Sequence, residues 1–590
     1  MVKKTEKIWS IDPYALMGIF FVLAFGYFFF IGNYVLYFQE TQSLFVFSGE
    51  YFQKHLQKPG ALLEYAGRFL TQFYHGRLIG SLIIAVVLTL PVLVVKSINM
   101  RFVKGLPYSV HLMMLPSLLL LLMQANYYHL MEFNLGFIMV LLLYLLLLKS
   151  SEKYFRILCL LVFPLVYYLI GAYAFLFILI YIIHQLFIEK DKAGFVCSLL
   201  ILLTAILTFI IFWKIIFYQP VQQLLLSPLP VIDNPLYRNV FIVLSGFIAF
   251  YPLVILAVKN IRGRRLNSNL YSYLSLALFS ALIVFFLVRT YNPQTARVVE
   301  LERLIFSGKY DEAVKAQEER PARNLIGEYF YNIALSETDQ LCDRLFHGPQ
   351  DFLAGSLVLP WGDIHLNRGA YFYYAIGLIN EAHRWAYEEM VVFGYRPQNI
   401  ELLVKTSLIN GDYVQAGKYI NILKKTIFYR RWAKEYEKMT GNPDLIRSNP
   451  ELGAKIRLLP GTNFFIQFNE PQNNLPLILE GQPDNRKAIE YYLAGLLLTK
   501  KVEIAVSNIT NMKGSGYTTI PRHLEEAVMI YFNSTGKYPD LGGLTISNDT
   551  RTRFNQYFTT YQSARNIPST LQEKMQKGFG DTFWYYFHFK

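Results

Sequence analysis

The sequence predicts an all-α protein in two parts, a polytopic transmembrane helical bundle followed by a helical repeat domain. Three observations carry this reading. Hydrophobic residues make up 54% of the chain and charged residues only 17%, against about 25% charged in an average soluble protein. The charges are also unevenly placed. Residues 1–290 hold 22 Lys and Arg against 10 Asp and Glu, whereas residues 291–590 hold 34 against 32. Finally, apolar runs that approach the roughly 20 residues needed to span a bilayer recur before residue 290 and then stop. The expected organisation is a transmembrane domain at 1–290, a repeat domain at 291–440, and a helical extension at 441–590 with a loop-rich insertion at 443–485.

The first run, 13–38, follows Lys3, Lys4 and Lys7. It exceeds the 7–15 apolar residues of a secretory signal and lacks a small-residue cleavage site, so it reads as an uncleaved first crossing. Further runs lie at 78–95, 107–125, 133–148, 157–188, 195–217, 239–258 and 271–288. Short basic loops favour the cytoplasm. Lys96/Arg101/Lys104, Lys149/Lys153/Arg156 and Lys259/Arg262/Arg264/Arg265 are all assigned there. This forces both ends of 157–188 onto one side, so that segment turns back near Gly171. About nine crossings result, with the N-terminus inside and everything beyond residue 291 outside.

The longest loop between crossings, 39–77, breaks at Lys58-Pro59-Gly60. Its flanks, 44–57 and 61–75, mix aromatic and polar residues and read as two amphipathic helices at the outer interface. The three cysteines, Cys159, Cys197 and Cys342, supply neither a disulfide framework nor a zinc pattern. The basic balance follows membrane topology, and no basic cluster interleaved with aromatics suggests a nucleic-acid partner.

After residue 290 the patterning becomes charged and helix-periodic. Gly308-Lys-Tyr-Asp-Glu-Ala313, Gly377-Leu-Ile-Asn-Glu-Ala382 and Gly411-Asp-Tyr-Val-Gln-Ala416 align without gaps, the last two 34 residues apart. This resembles the tetratricopeptide repeat (TPR), with glycine at the turn, alanine at the close helix approach, and Trp385 and Tyr419 at matched groove positions. Residues 321–346 supply an intervening, irregular repeat. Helical patterning returns at 486–508, 521–533 and 551–577, and the aromatic ending 578–589 is expected to pack in a core.

No P-loop, G-x-S-x-G, H-E-x-x-H or Rossmann fingerprint is present, and near-midplane ionisable residues are limited to His184 and Lys214. What remains is an outer-face set: Glu40, Glu50 and Glu64 in the first loop, His129 and Glu132 at a short turn, and Lys214 and Arg238 flanking the loop 218–238. Together with the topology, this set resembles the GT-C-type membrane glycosyltransferases. The resemblance implies a polyprenyl-phosphate-linked sugar as donor, Glu40 or Glu50 as catalytic base, His129 and Glu132 as a second site, and Lys214 or Arg238 at the phosphate. It also admits a divalent metal ion. The chain departs from that group in carrying isolated Glu residues where Asp pairs are usual. Arg368–Tyr387 and the Gly-Asp-Thr-Phe-Trp-Tyr-Tyr ending are similar to an uncharacterised family of bacterial multi-pass membrane proteins, which implies a bacterial inner membrane with the repeats in the periplasm. The alternative reading is non-catalytic: a membrane-anchored, TPR-like scaffold that docks a protein partner in its groove.

Overall fold

In the computed structural model the chain forms two compact units, Met1–Asn292 and Pro293–Lys590. The structure describes residues 13–102, 109–148, 152–232, 234–260, 268–362, 364–462, 464–467, 470–564 and 568–590. Lys3, Lys4, Lys7, Lys104, Lys149, Arg262, Arg264 and Arg265 lie outside them. The described residues are helical with irregular connections and hold no strand, as the sequence predicts.

Among the described residues of the first unit, three helices are long and apolar enough to cross a membrane: Tyr14–Ile31, Arg77–Phe102 and Lys192–Ile216. The last has a mean hydropathy of 2.9, yet only 28% of its apolar window is buried inside the structure. Leu199, Leu203, Leu207 and Ile210 all face outward. A helix apolar all round with an open face suits hydrocarbon rather than water. Shorter apolar helices lie at Leu112–Gln124, Met131–Leu147, Arg156–Ile170, Tyr173–Glu189 and Ser280–Thr290.

Two runs depart from a straight crossing. Residues 157–188 divide, as the charge pattern required, into Glu152–Ile170 and Tyr173–His184, with Gly171 left-handed at φ +58. The run 239–258 is a pair, Pro235–Ala249 and Tyr251–Val258, bent by 66°. Pro252 explains the bend, because it lacks the N–H that would continue the hydrogen-bond ladder and disfavours helix at the residue before it.

The loop 39–77 differs from two plain amphipathic helices. Residues 43–47 are irregular, and Ser48 accepts a hydrogen bond from Tyr51 N at 3.2 Å to start a short helix, Gly49–Lys54. The buried Phe45 ring packs on Phe47, Tyr51, Tyr65 and Phe69 at centroid distances of 4.9–5.4 Å. An irregular strap with an aromatic core replaces the first part of the helix expected at 44–57 and leaves Gly49–Lys54 helical, because burying Phe45 outweighs the helical pattern.

The second unit is built from helix hairpins. Gly308, Gly377 and Gly411 are left-handed, at φ +69, +87 and +74. Each separates two helices: Pro293–Phe306 and Tyr310–Glu319, Leu366–Ala375 and Ile379–Phe393, Pro397–Ile409 and Tyr413–Lys424. Ala313, Ala382 and Ala416 are fully buried where the helices meet. Gly369 lies under the buried Trp385 ring and has no side chain in its way.

Two further hairpins use the same closure without glycine. Asp339 (φ +57) joins Leu325–Glu337 to Leu341–Arg344, and Lys500 (φ +57) joins Arg486–Leu498 to Val502–Ser507. In all five, the N–H after the left-handed residue returns to a carbonyl five residues back: Lys309 to Leu304, Gln340 to Leu335, Leu378 to Tyr373, Asp412 to Ser407 and Lys501 to Leu496, at 2.8–2.9 Å. This return bond satisfies carbonyls that a helix end leaves bare.

The insertion at 443–485 is partly helical. Asn442 and Asn449 accept backbone N–H bonds and start Pro443–Ser448 and Pro450–Ile456, and Asn474–Gly481 follows. Asn before Pro is a helix-start signal inside a stretch whose composition reads as loop. Helix Arg486–Leu498 then packs against Leu325–Glu337 and Leu341–Arg344, with Cys342 Sγ 3.5 Å from Glu490 O. The aromatic ending forms Phe583–Phe589, whose Phe583 and Trp584 are fully buried. Glu526 holds it, accepting Phe583 N at 2.7 Å through its carboxylate and Trp584 Nε1 at 2.8 Å through its carbonyl.

The closures make a graded prediction. Gly411 has open space where a Cβ would sit, so Gly411→Ala pays only the left-handed strain, about 1–2 kcal/mol. At Gly377 the added Cβ would also collide with the Leu458 backbone, so Gly377→Ala costs at least about 3 kcal/mol. Thermal unfolding followed by circular dichroism should rank the midpoints wild type, Gly411→Ala, Gly377→Ala, and the reverse order would contradict the closure model.

Candidate functional site

The first unit concentrates its buried polar side chains where the loop 39–77 meets the turn 125–130. Helix Asn33–Thr41 ends in Gln39 and Glu40, both buried. Gln39 Nε2 donates to His129 O at 2.7 Å and to Tyr127 O at 3.1 Å. Gln124 Nε2 donates to the same His129 carbonyl at 3.2 Å, and Asn134 Nδ2 donates to Gln124 Oε1. Asn134 Oδ1 is therefore an acceptor, which makes His129 Nε2, 3.0 Å away, the protonated ring nitrogen. His129 Nδ1 then accepts from Tyr237 OH at 2.6 Å. Tyr237 is placed by the first turn of helix Pro235–Ala249, whose N-cap is Asn234.

Burial holds His129 neutral inside this network. Burial lowers its pKa to about 4 from the usual 6.5, against a smaller opposing effect of the Asn134 bond. His129 is thus a fully satisfied joint between the turn and the helix at 235, and its ring is committed to protein partners.

The carboxylates sit on either side of the joint. Glu40 Oε1 lies 3.7 Å from His75 Nδ1. Glu132, in the first turn of Met131–Leu147, is buried against helix Ala61–Thr71. Gly67 makes that approach available, since a Cβ there would stand 2.7 Å from Glu132 Oε2. The next residue, Arg68, supplies the cation. Its own burial opposes its charge, but Tyr51, then Glu132 and Glu64, outweigh that and raise its pKa. Glu64 also pairs with Lys58 at 2.6 Å. Tyr74 is buried beside this group with no hydrogen-bond partner for its hydroxyl. Burial first, and the Glu132 charge second, raise its pKa well above the usual value. An unpaired buried hydroxyl costs about 1–3 kcal/mol.

The loop is pinned from the other side as well. Gly60 N donates to Tyr168 O at 2.9 Å, Tyr168 OH to Leu56 O at 3.1 Å, and Ala172 N to Ser227 O at 2.9 Å. Gly60, Gly171 and Pro228 meet there so closely that a Cβ on Gly60 would be 2.6 Å from Pro228 Cδ.

Of the six residues given roles by the resemblance, the structure joins Glu40, His129 and Glu132 through Gln39 and the segment 67–75. Glu50 is exposed in the first turn of Gly49–Lys54. Lys214 is exposed and lies over the Trp213 ring at 3.6 Å from the centroid. Arg238 is exposed, one residue beyond Tyr237. Among the described residues none of these three makes an ion pair. Sequence reasoning missed Arg68, Tyr74, His75 and the amides Gln39, Gln124 and Asn134. A usable signal existed in Glu64-Tyr-Ala-Gly-Arg68, where an acid and a base four apart flank a glycine on one helix face. Among the described residues no group of three or more His, Cys, Asp or Glu side chains is arranged to hold a metal ion.

The His129 geometry predicts a pH dependence. Its folded pKa is depressed, so its contribution is intact above about 6.5 and is lost as pH falls toward 4, because the unfolded chain takes up the proton first. Thermal midpoints measured from pH 7 to pH 4 should fall less steeply in His129→Gln than in wild type, and parallel profiles would contradict the assignment.

No curated protein and no solved structure matches the chain. Residues 7–590 match the family model of DUF6057, a family of unknown function, and the chain belongs to that family.

Proposed function

We propose that the first unit is a polytopic domain of a bacterial inner membrane, with nine crossings, that transfers a sugar from a polyprenyl-phosphate carrier at the outer face, in the manner of GT-C-type glycosyltransferases. The observation that supports it best is the pairing of two buried carboxylates, Glu40 and Glu132, about one short segment that also carries Arg68, the unpaired Tyr74 hydroxyl and His75. In this reading an acceptor hydroxyl attacks the anomeric carbon, its proton passes to Glu40, and the bond from that carbon to the phosphate oxygen breaks. A carboxylate base beside a neighbouring imidazole suits the proton transfer. The departing phosphate needs positive charge, which Arg68 provides inside the site, with Lys214 and Arg238 exposed to meet the carrier lipid. The turn at Gly171 agrees with an odd number of crossings and a periplasmic second unit.

The non-catalytic reading, a membrane-anchored TPR-like scaffold, is favoured by one observation: five hairpins share a single closure, and stacked helix pairs leave concave surfaces for partners.

Site substitutions distinguish the two. Glu40→Gln should reduce surface-glycan transfer roughly 100-fold or more, as expected for loss of a general base, with Glu132→Gln also impaired. The exposed Glu50→Gln should stay within about threefold, as surface changes usually do. Unchanged glycan products in Glu40→Gln, at normal protein levels, would leave the scaffold reading standing.

A further inference from the structure

We propose that the second unit carries a binding site for a short anionic saccharide, in a cavity of about 570 Å³ bounded by Val502–Ser507, Arg522–Thr535, Asn548–Ala564 and Phe583–Phe589. The site is argued from its own lining and stands whether or not the membrane unit transfers sugar. Its volume lies within the about 300–1,000 Å³ of small-molecule sites.

The lining combines three chemistries. Phe558, which is 41% exposed, and Tyr561 present aromatic faces from one helix, as apolar platforms for the C–H faces of sugar rings. Tyr531, Asn533 and Ser534 offer donors and acceptors for hydroxyls. Lys500 and Lys501 also line the cavity, and Glu503 is the single acid among the lining residues. Among the described residues neither lysine makes an ion pair, and Lys500 Nζ has a ring contact instead, 5.8 Å from the Tyr586 centroid. The walls are helical and give no strand edge for an extended peptide, and the cavity is too small for a docked helix.

The second observation is backbone strain. Lys500 occupies the left-handed position that closes its hairpin, at φ +57, where three of the four sister closures use glycine. A side chain with a Cβ is disfavoured there, and strain of this kind collects at ligand sites. Glycine would close this turn without that strain, whereas lysine places a cation among the cavity's lining residues.

This separates folding from binding. Isothermal titration of the full-length protein in detergent micelles at low salt, with trigalacturonate as the acidic probe and maltotriose as the neutral one, should give at least tenfold tighter binding of trigalacturonate. Lys500→Gly should weaken trigalacturonate at least tenfold while its thermal midpoint is no lower than wild type. Phe558→Ala should weaken both sugars. No binding of trigalacturonate, equal binding of maltotriose, equal binding of triglutamate, or unchanged affinity in Lys500→Gly would each overturn the proposal.

Discussion

A helix that must reverse onto itself needs one residue that leaves the right-handed region without stranding its last carbonyls, and much of this chain hangs on that requirement. In the first unit Gly171 reverses Glu152–Ile170 onto Tyr173–His184. In the second, five left-handed residues repeat one closure with one return hydrogen bond. In four of the five, the helix after the closure carries a fully buried alanine: Ala313, Ala382, Ala416 and Ala505. Hairpin geometry thus fixes where the bulky side chains can go. Trp385 fills the space over Gly369, and Tyr173 fills the space over Gly136 in the same way.

The candidate site in the first unit follows from a different constraint, the cost of burying charge. Glu132 and Glu64 are kept near Arg68 and Lys58, and Glu40 near His75. A buried acid without such partners would be strongly unfavourable. The amide network of Gln39, Gln124 and Asn134 has a separate task. It fixes the His129 tautomer and ties three chain segments, far apart in sequence, into one joint. The site therefore consists of a rigid neutral joint with acidic and basic side chains beside it, and the Tyr74 hydroxyl is one of the buried polar atoms that the fold leaves without a hydrogen-bond partner.

How much of this could be read in advance depended on whether the signal was local. The turn at Gly171 was legible because charge on both flanks demanded it. The three glycine closures were legible because they share a motif. Asp339 and Lys500 were not, since a non-glycine residue at the same position carries no turn signature, although the return bond is the same. The helices at Pro443–Ser448 and Pro450–Ile456 were hidden by a loop-like composition in which Asn-Pro was the start signal. Phe45 was hidden because its value lies in partners up to 24 residues away.

The sequence by itself determined the helical class, the division near residue 290, the left-handed turns at glycine, and Glu40, His129 and Glu132 as residues of interest. Those features rest on hydropathy, charge and spacing, which are properties of neighbouring residues. Only the tertiary structure decided that Glu132 is buried against the helix that carries Arg68, that His129 is consumed in a neutral joint, that Glu50 stands exposed, and that Lys500 closes a hairpin at the edge of a cavity. Burial and partnership across distant segments set those outcomes, and neither is written in any local stretch of the chain.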